Sequence, residues 1–364
     1  MANPQEYIRN LTPYVPGKPI EELQREFGIQ NVTKLASNEN AVGPSPLALA
    51  AIVRELAELH RYPEGSAPTL VSELAAFLQV DPSNVVLGNG SDELIKLILQ
   101  AFCPRNGVVV SSEHGFLMYK VFAGGFGIRC AEPPLAQNYR YDLRAVGSVA
   151  KESGAHAVFL ANPSNPTGTT FTQTELLRFC EDVGPDLLLI IDEAYYEYVE
   201  MDDAVDSLAL LRNRPNTVIL RTFSKAYGLA GLRVGYGITS SEIANYINRI
   251  RTPFNINRLA QVGATAALGD KEHLAQVLEV NRAGKIQMTR GLRELGLNFA
   301  DSQTNFYLVD LNRPAGPVYE ALLRMGLIVR PMTAYGFPCH IRITVGQPAE
   351  NARVLSALRA VLAE

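Results

Sequence analysis

Cysteine is scarce and scattered. The four residues Cys103, Cys130, Cys180 and Cys339 form no CxxC or CxxH pair in 364 residues, which leaves no disulfide framework and no thiolate metal site. They read as buried, reduced thiols. The five histidines show no metal-ligand spacing either, so zinc is not expected. Positive charge is not concentrated anywhere: 33 basic against 37 acidic residues give a net charge of −4 with no basic block, which argues against nucleic acid as a partner. No apolar run reaches membrane-spanning length, and the opening MANPQEYIRN lacks the apolar core of a signal peptide. A soluble, cytoplasmic protein is the expectation. Internal repeats and low-complexity tracts are also missing.

What is present is a globular composition, 47% hydrophobic and 19% charged, in a chain too long for one ordinary core. Residues 1–44 are rich in Pro, Asn and Gly. They read as an extended arm with one short amphipathic helix near 20–27 and a short strand in KLASNEN. From residue 45 onward, helical patterns alternate with short apolar runs at 85–87, 107–111, 157–161, 186–191, 217–221 and 234–238. That alternation predicts an α/β domain, a largely parallel sheet with helices on both faces. A long helix is expected from about Leu259. Near residue 281 the order changes to helix, strand, helix, two strands and a final helix, an α+β unit. The expected division is 1–44 as arm and part of the small domain, 45–280 as the large domain, and 281–364 as the small domain.

The chemistry gathers at the ends of the predicted strands, where open α/β sheets bind ligands. In residues 222–235, TFSKAYGLAGLRVG, Lys225 follows an apolar strand and lies among Thr222, Ser224 and Arg233. An ordinary solvated lysine is the competing reading at this point. Asp192 ends another apolar strand, where an unpaired buried charge would be expensive unless a cation met it. Asn165 sits in NPSNPTG, a string too dense in Pro and Asn for regular structure. In GNGSDE a strand runs through a glycine turn into a helix beginning Ser91, Asp92, Glu93; main-chain N–H groups there can hold an anion, although an ordinary N-capped helix has the same appearance. An amine, a carboxylate, an amide and an anion cradle are together what pyridoxal phosphate requires.

NPSNPTG, DEAYYEY and TFSKAYGLAGLRVG, in this order and spacing, resemble the fold-type I pyridoxal-phosphate aminotransferases over nearly the whole chain. IRNLTPYVPGKP, KLASNEN, RYPEG, GNGSDE, RTPFN and HIRITVG with VRP upstream narrow the resemblance to the histidinol-phosphate aminotransferase subgroup. The resemblance implies a large domain with a mostly parallel seven-stranded sheet flanked by helices, plus a smaller α+β domain. It implies that Lys225 binds the aldehyde of pyridoxal 5′-phosphate and then serves as the base at the substrate's α-carbon. Asp192 would pair with the ring nitrogen, and Tyr195 and Asn165 with the ring oxygen. Phe116 would stack on the ring, its alternative being a plain core aromatic. Ser91, Asp92 and Glu93, through their main chain, would hold the phosphate with Thr222, Ser224 and Arg233.

By the same resemblance Tyr62 reaches the phosphate of a neighbouring subunit, which implies a homodimer with shared sites; a locally packed turn tyrosine is the alternative. Tyr14, Asn38, Arg330 and Arg342 are nominated for the substrates, L-histidinol phosphate and 2-oxoglutarate, with imidazole-acetol phosphate and glutamate as products. An aromatic amino-acid aminotransferase, a threonine-phosphate decarboxylase and a cofactor-binding regulator without turnover are the rival readings. Ala41 and Val42 replace an expected Pro-Leu, and Tyr141 stands where many relatives carry histidine.

Overall fold

The computed structural model describes residues 2–9, 11–13 and 16–363. Its strands, in chain order, are β1 (Thr33–Lys34), β2 (Val85–Gly88), β3 (Val108–Val110), β4 (Arg129–Ala131), β5 (Ala157–Ala161), β6 (Leu188–Asp192), β7 (Thr217–Thr222), β8 (Gly235–Thr239), β9 (Asn298–Phe299), β10 (Phe306–Asp310), β11 (Leu327–Ile328), β12 (Arg330–Pro331) and β13 (His340–Thr344). Seven of them form one sheet in the order β2-β8-β7-β6-β5-β3-β4. All neighbours are parallel except β8, which runs antiparallel to both β2 and β7.

Every residue of β5, β6, β7 and β8 is buried, as a sheet covered on both faces demands. Successive side chains enter different cores. Phe159, Ile190, Val218 and Leu220 pack with Leu94, Ile98 and Ile243, which belong to helices Ser91–Phe102 and Ser241–Ile250. Val158, Leu160, Leu189 and Ile191 pack with Leu176 and Phe179 of helix Gln173–Val183. The period-2 alternation of a strand thus explains both apolar faces.

The second sheet has the order β12-β13-β10-β9, all antiparallel, with β1 and β11 paired separately and parallel. Its core joins Leu35, Tyr307, Ile341, Ile343 and Leu358. Helix Ile20–Phe27 lies here too, burying Leu23 against Ala36, Leu323 and Ile328. The first residues go elsewhere: Arg105 lies over the Tyr7 ring at 4.9 Å, on the large-sheet side.

Several elements differ from expectation. The sequence pattern passed over β4 and helix Leu143–Glu152. Helix Pro46–Glu55 tightens to a 3-10 turn at Leu56–Glu58. The long helix is two: Arg258–Gly269, then Lys271–Glu294, with Asp270 capping the second through the His273 N–H. That second helix runs unbroken past residue 280, carrying Val277 in one core and Met288 in the next.

Candidate active site

Parallel pairing brings the site together. Ala161 is in register with Asp192, and Asp192 with Leu220, so the loops after β5, β6 and β7 leave the sheet side by side. Antiparallel β8 adds the fourth component, because Gly235 pairs with Thr222 on one side and with Gly88 on the other. The glycine turn and the start of helix Ser91–Phe102 therefore stand beside the lysine loop. A cavity of about 220 Å³ opens where they meet.

The cradle end of the cavity is lined by Ser91, Asp92, Thr222, Ser224 and Arg233. The first N–H groups of a helix have no acceptor within it, and Ser91 and Asp92 hold those positions. A Cβ at Gly90 would run into the Arg233 guanidinium, and one at Gly235 would lie 2.6 Å from the Ser91 nitrogen, so glycine is what permits this close approach. Arg233, itself at φ +56°, bonds Ser224 Oγ at 3.3 Å and faces Asp92 Oδ2 at 3.5 Å. Thr222 Oγ1 accepts from the Ser224 N–H at 3.1 Å, which fixes the turn. Glu93 stands apart. Its N–H turns back to the Gly90 carbonyl, and its carboxylate accepts from Asn89 N and Asn255 Nδ2.

At the opposite end lies Asp192, 5% exposed, accepting from Tyr119 Oη at 2.7 Å and from the Ala194 N–H at 3.1 Å. Burial pushes its pKa from 3.8 up to about 6, against the pull of those two donors. A cationic partner in the cavity would reverse that burden. Tyr195 also lines the cavity and accepts from Asn38 Nδ2 at 2.8 Å. Lys225 is half-buried, and its amine donates to the Ser37 carbonyl at 3.2 Å. Burial first, and the Arg342 cation second, bring its pKa from 10.5 down to about 8. Phe116, partly buried, closes one wall with Pro163.

Arg342 is 6% exposed and donates to Asn165 Oδ1 at 2.6 Å and to the Ala36 carbonyl at 2.7 Å, while its Nε has no partner. Arg330 is cross-strand neighbour to Arg342 in the β12–β13 register. Asn38 is buried, its Nδ2 donating to Tyr195 and its Oδ1 accepting from Thr344. Tyr62 lies outside this chain's own cavity, 79% exposed and stacked on Phe254 at 4.7 Å. Tyr14 lies outside the described residues.

Two supports were missed in the sequence. Tyr119 falls three residues after Phe116 in FLMY, helical spacing that could have placed it on the same face. The ion pair of Arg221 and Glu193, 2.8 Å apart and almost fully buried, fixes the residue after Asp192; two charges in DEAYYEY and RTFSK gave no sign that they meet. Among the described residues no cluster of His, Cys, Asp and Glu fits a metal, and no helix is long and apolar enough to cross a membrane.

The family model for aminotransferase class I and II matches residues 30–358. The histidinol-phosphate aminotransferase of Anaeromyxobacter sp. (strain Fw109-5) is 48% identical over 357 residues, 98% of each chain. Histidinol-phosphate aminotransferase 2 of Pseudomonas fluorescens (strain Pf-5) is 48% identical over all of this chain and 98% of its own. The crystal structure of the Sinorhizobium meliloti histidinol-phosphate aminotransferase in complex with pyridoxal-5′-phosphate superposes with a TM-score of 0.92 at 29% identity, covering 100% of this chain and 98% of that one.

Proposed function

Because the chain belongs to the class I and II aminotransferases, and among them to the histidinol-phosphate aminotransferases, we propose that the Lys225 cavity is its active site, with the roles set out below. The enzyme is pyridoxal-phosphate-dependent and moves an amino group between L-histidinol phosphate and 2-oxoglutarate, giving imidazole-acetol phosphate and L-glutamate, in histidine biosynthesis. One observation carries the site assignment: a lysine whose pKa is drawn down to about 8 shares a cavity with a buried carboxylate and an arginine-lined helix start.

The residues fit the cofactor. Two free helix N–H groups, Ser224 and the Arg233 fork suit a phosphate dianion. Asp192, held by Tyr119 and Ala194, suits a protonated ring nitrogen, and Tyr195 and Asn165 suit the ring oxygen. When bound, the cofactor supplies the electron sink that makes the substrate's α-proton removable. Lys225 takes that proton with a neutral amine, a state its lowered pKa makes accessible near neutral pH. Phe116 covers one ring face and excludes water. Arg342 and Arg330 present two guanidiniums to the phosphate of one substrate and the carboxylate of the other.

The active unit is a homodimer in this reading. Helix Pro46–Glu55 and the turn after it expose Leu49, Val53, Leu56 and Leu59, an apolar face a second copy would cover, and Tyr62 beside it would reach the partner's phosphate. We also place the enzyme in the cytoplasm, in keeping with its free cysteines.

Borohydride treatment should bleach the visible absorbance band of the holoenzyme and leave the cofactor covalently fixed to Lys225, located by peptide mass. Loss of that attachment site would sink the assignment. Histidinol phosphate should exceed phenylalanine, tyrosine and threonine phosphate in kcat/KM; equal turnover of phenylalanine would replace the assigned substrate. Mixing Lys225→Ala with Tyr62→Phe chains should rebuild one intact site per mixed dimer, about a quarter of wild-type activity at random pairing. Activity no higher than either parent would refute the shared site.

A further inference from the structure

Residues 36–38 run between the two sheets, and each touches the site. The Ala36 carbonyl accepts from Arg342, the Ser37 carbonyl from Lys225, and Asn38 reaches Tyr195. Asn38 is 1% exposed and has φ +56°, a left-handed backbone that asparagine tolerates better than most residues. Its N–H donates to Thr344 Oγ1 at 3.0 Å, which leaves the threonine hydrogen to donate to Asn38 Oδ1 at 3.3 Å. In this arrangement Nδ2 is the donor to Tyr195 Oη at 2.8 Å. Asn305 Nδ2 ties down the Asn38 carbonyl at 3.1 Å. Both ends of the amide are therefore engaged by the protein, Nδ2 on Tyr195 and Oδ1 on Thr344.

We propose that Asn38 is a positioning residue for the transamination: by donating to Tyr195 Oη it commits the tyrosine's own hydrogen to the cavity, toward the cofactor's ring oxygen. The proposal rests on the placement of Tyr195 at that oxygen. Thr344 lies two residues from Arg342 on β13, so the strand that carries the substrate arginine also orients the amide. Burial, stronger than the opposing pull of Arg342 and Asn38, pushes the Tyr195 phenol up to about 12, and it stays a donor throughout the working pH range.

The test is the pH titration of the visible absorbance of the holoenzyme. A donor to the ring oxygen favours its ionised form, so losing that donor moves the titration to higher pH, by about 1 to 2 pH units. Tyr195→Phe should show this in full. Asn38→Asp should match it, because a carboxylate accepts the tyrosine hydrogen and turns it from the cavity. The double variant should shift no further than Tyr195→Phe alone. Asn38→Gly, which removes the amide without backbone strain, should shift the same way by less, and it serves if Asn38→Asp fails to fold.

A Tyr195→Phe shift with wild-type titrations in both Asn38 variants overturns the inference and leaves the site intact. No shift in Tyr195→Phe removes Tyr195 from the ring oxygen and overturns both. A raised KM for histidinol phosphate in Asn38→Gly with an unmoved titration returns Asn38 to the substrate and likewise overturns it.

Discussion

Asp192→Asn offers a direct measure of what the apo site holds in reserve. The carboxyl is buried, and its folded-state pKa is about 6 against an ordinary 3.8. A raised acid is stabilised in its protonated form. Its favourable contribution is fully present below about pH 4 and is lost as pH rises through about 6. At 1.36 kcal/mol per pH unit, that interval makes the ionised carboxylate a burden of roughly 3 kcal/mol on the cofactor-free fold at pH 8. Asparagine has the same shape and keeps both hydrogen bonds: Oδ1 accepts from the Ala194 N–H, and Nδ2 donates to Tyr119 Oη after the hydroxyl rotates.

In urea unfolding of the apoprotein, Asp192→Asn should be more stable than wild type by roughly 3 kcal/mol at pH 8, with the gap closing toward pH 5. Adding pyridoxal phosphate should narrow or reverse the gap, since a ring cation pairs with the aspartate alone, and activity should be lost. A gap that does not change between pH 5 and 8, or a variant less stable than wild type throughout, would refute the reasoning.

Arg233→Lys replaces a bidentate fork with a point charge and should weaken cofactor binding by about 10- to 100-fold in a fluorescence titration, the scale of one charge-assisted hydrogen bond; unchanged affinity would remove Arg233 from the phosphate. Gly235→Ala sets a Cβ 2.6 Å from the Ser91 nitrogen, so overpacking should destabilise the fold by about 1–3 kcal/mol and lower cofactor affinity together, both readable by thermal denaturation with and without cofactor. Arg342→Leu removes a cation that depresses Lys225, so in the apoprotein the pH midpoint of Lys225 acylation, followed by peptide mass, should rise from about 8 toward 10.5 without reaching it, because burial, the larger cause, persists.

The sequence was most legible where one short stretch carried a complete instruction. NPSNPTG, DEAYYEY and TFSKAYGLAGLRVG each follow or close a buried strand and supply polar residues that line one cavity, and helix–strand alternation gave the α/β class. It was least legible where an element is weakly patterned or where function is shared. β4 is three residues long with only one buried, so no period stands out. Asn38 was nominated for the substrate by resemblance, and KLASNEN gives no sign that its amide meets Tyr195.

By itself, then, the sequence determined the chemistry and the fold class, because strand burial, glycine turns and helix starts are properties of a few consecutive residues. Tertiary structure alone decided who meets whom. Tyr119 finds Asp192 across 73 positions, Asn38 finds Tyr195 across 157, and Arg342 finds Asn165 across 177. Such pairs depend on strand order and register. Those are settled by how whole faces pack, and no local pattern encodes them.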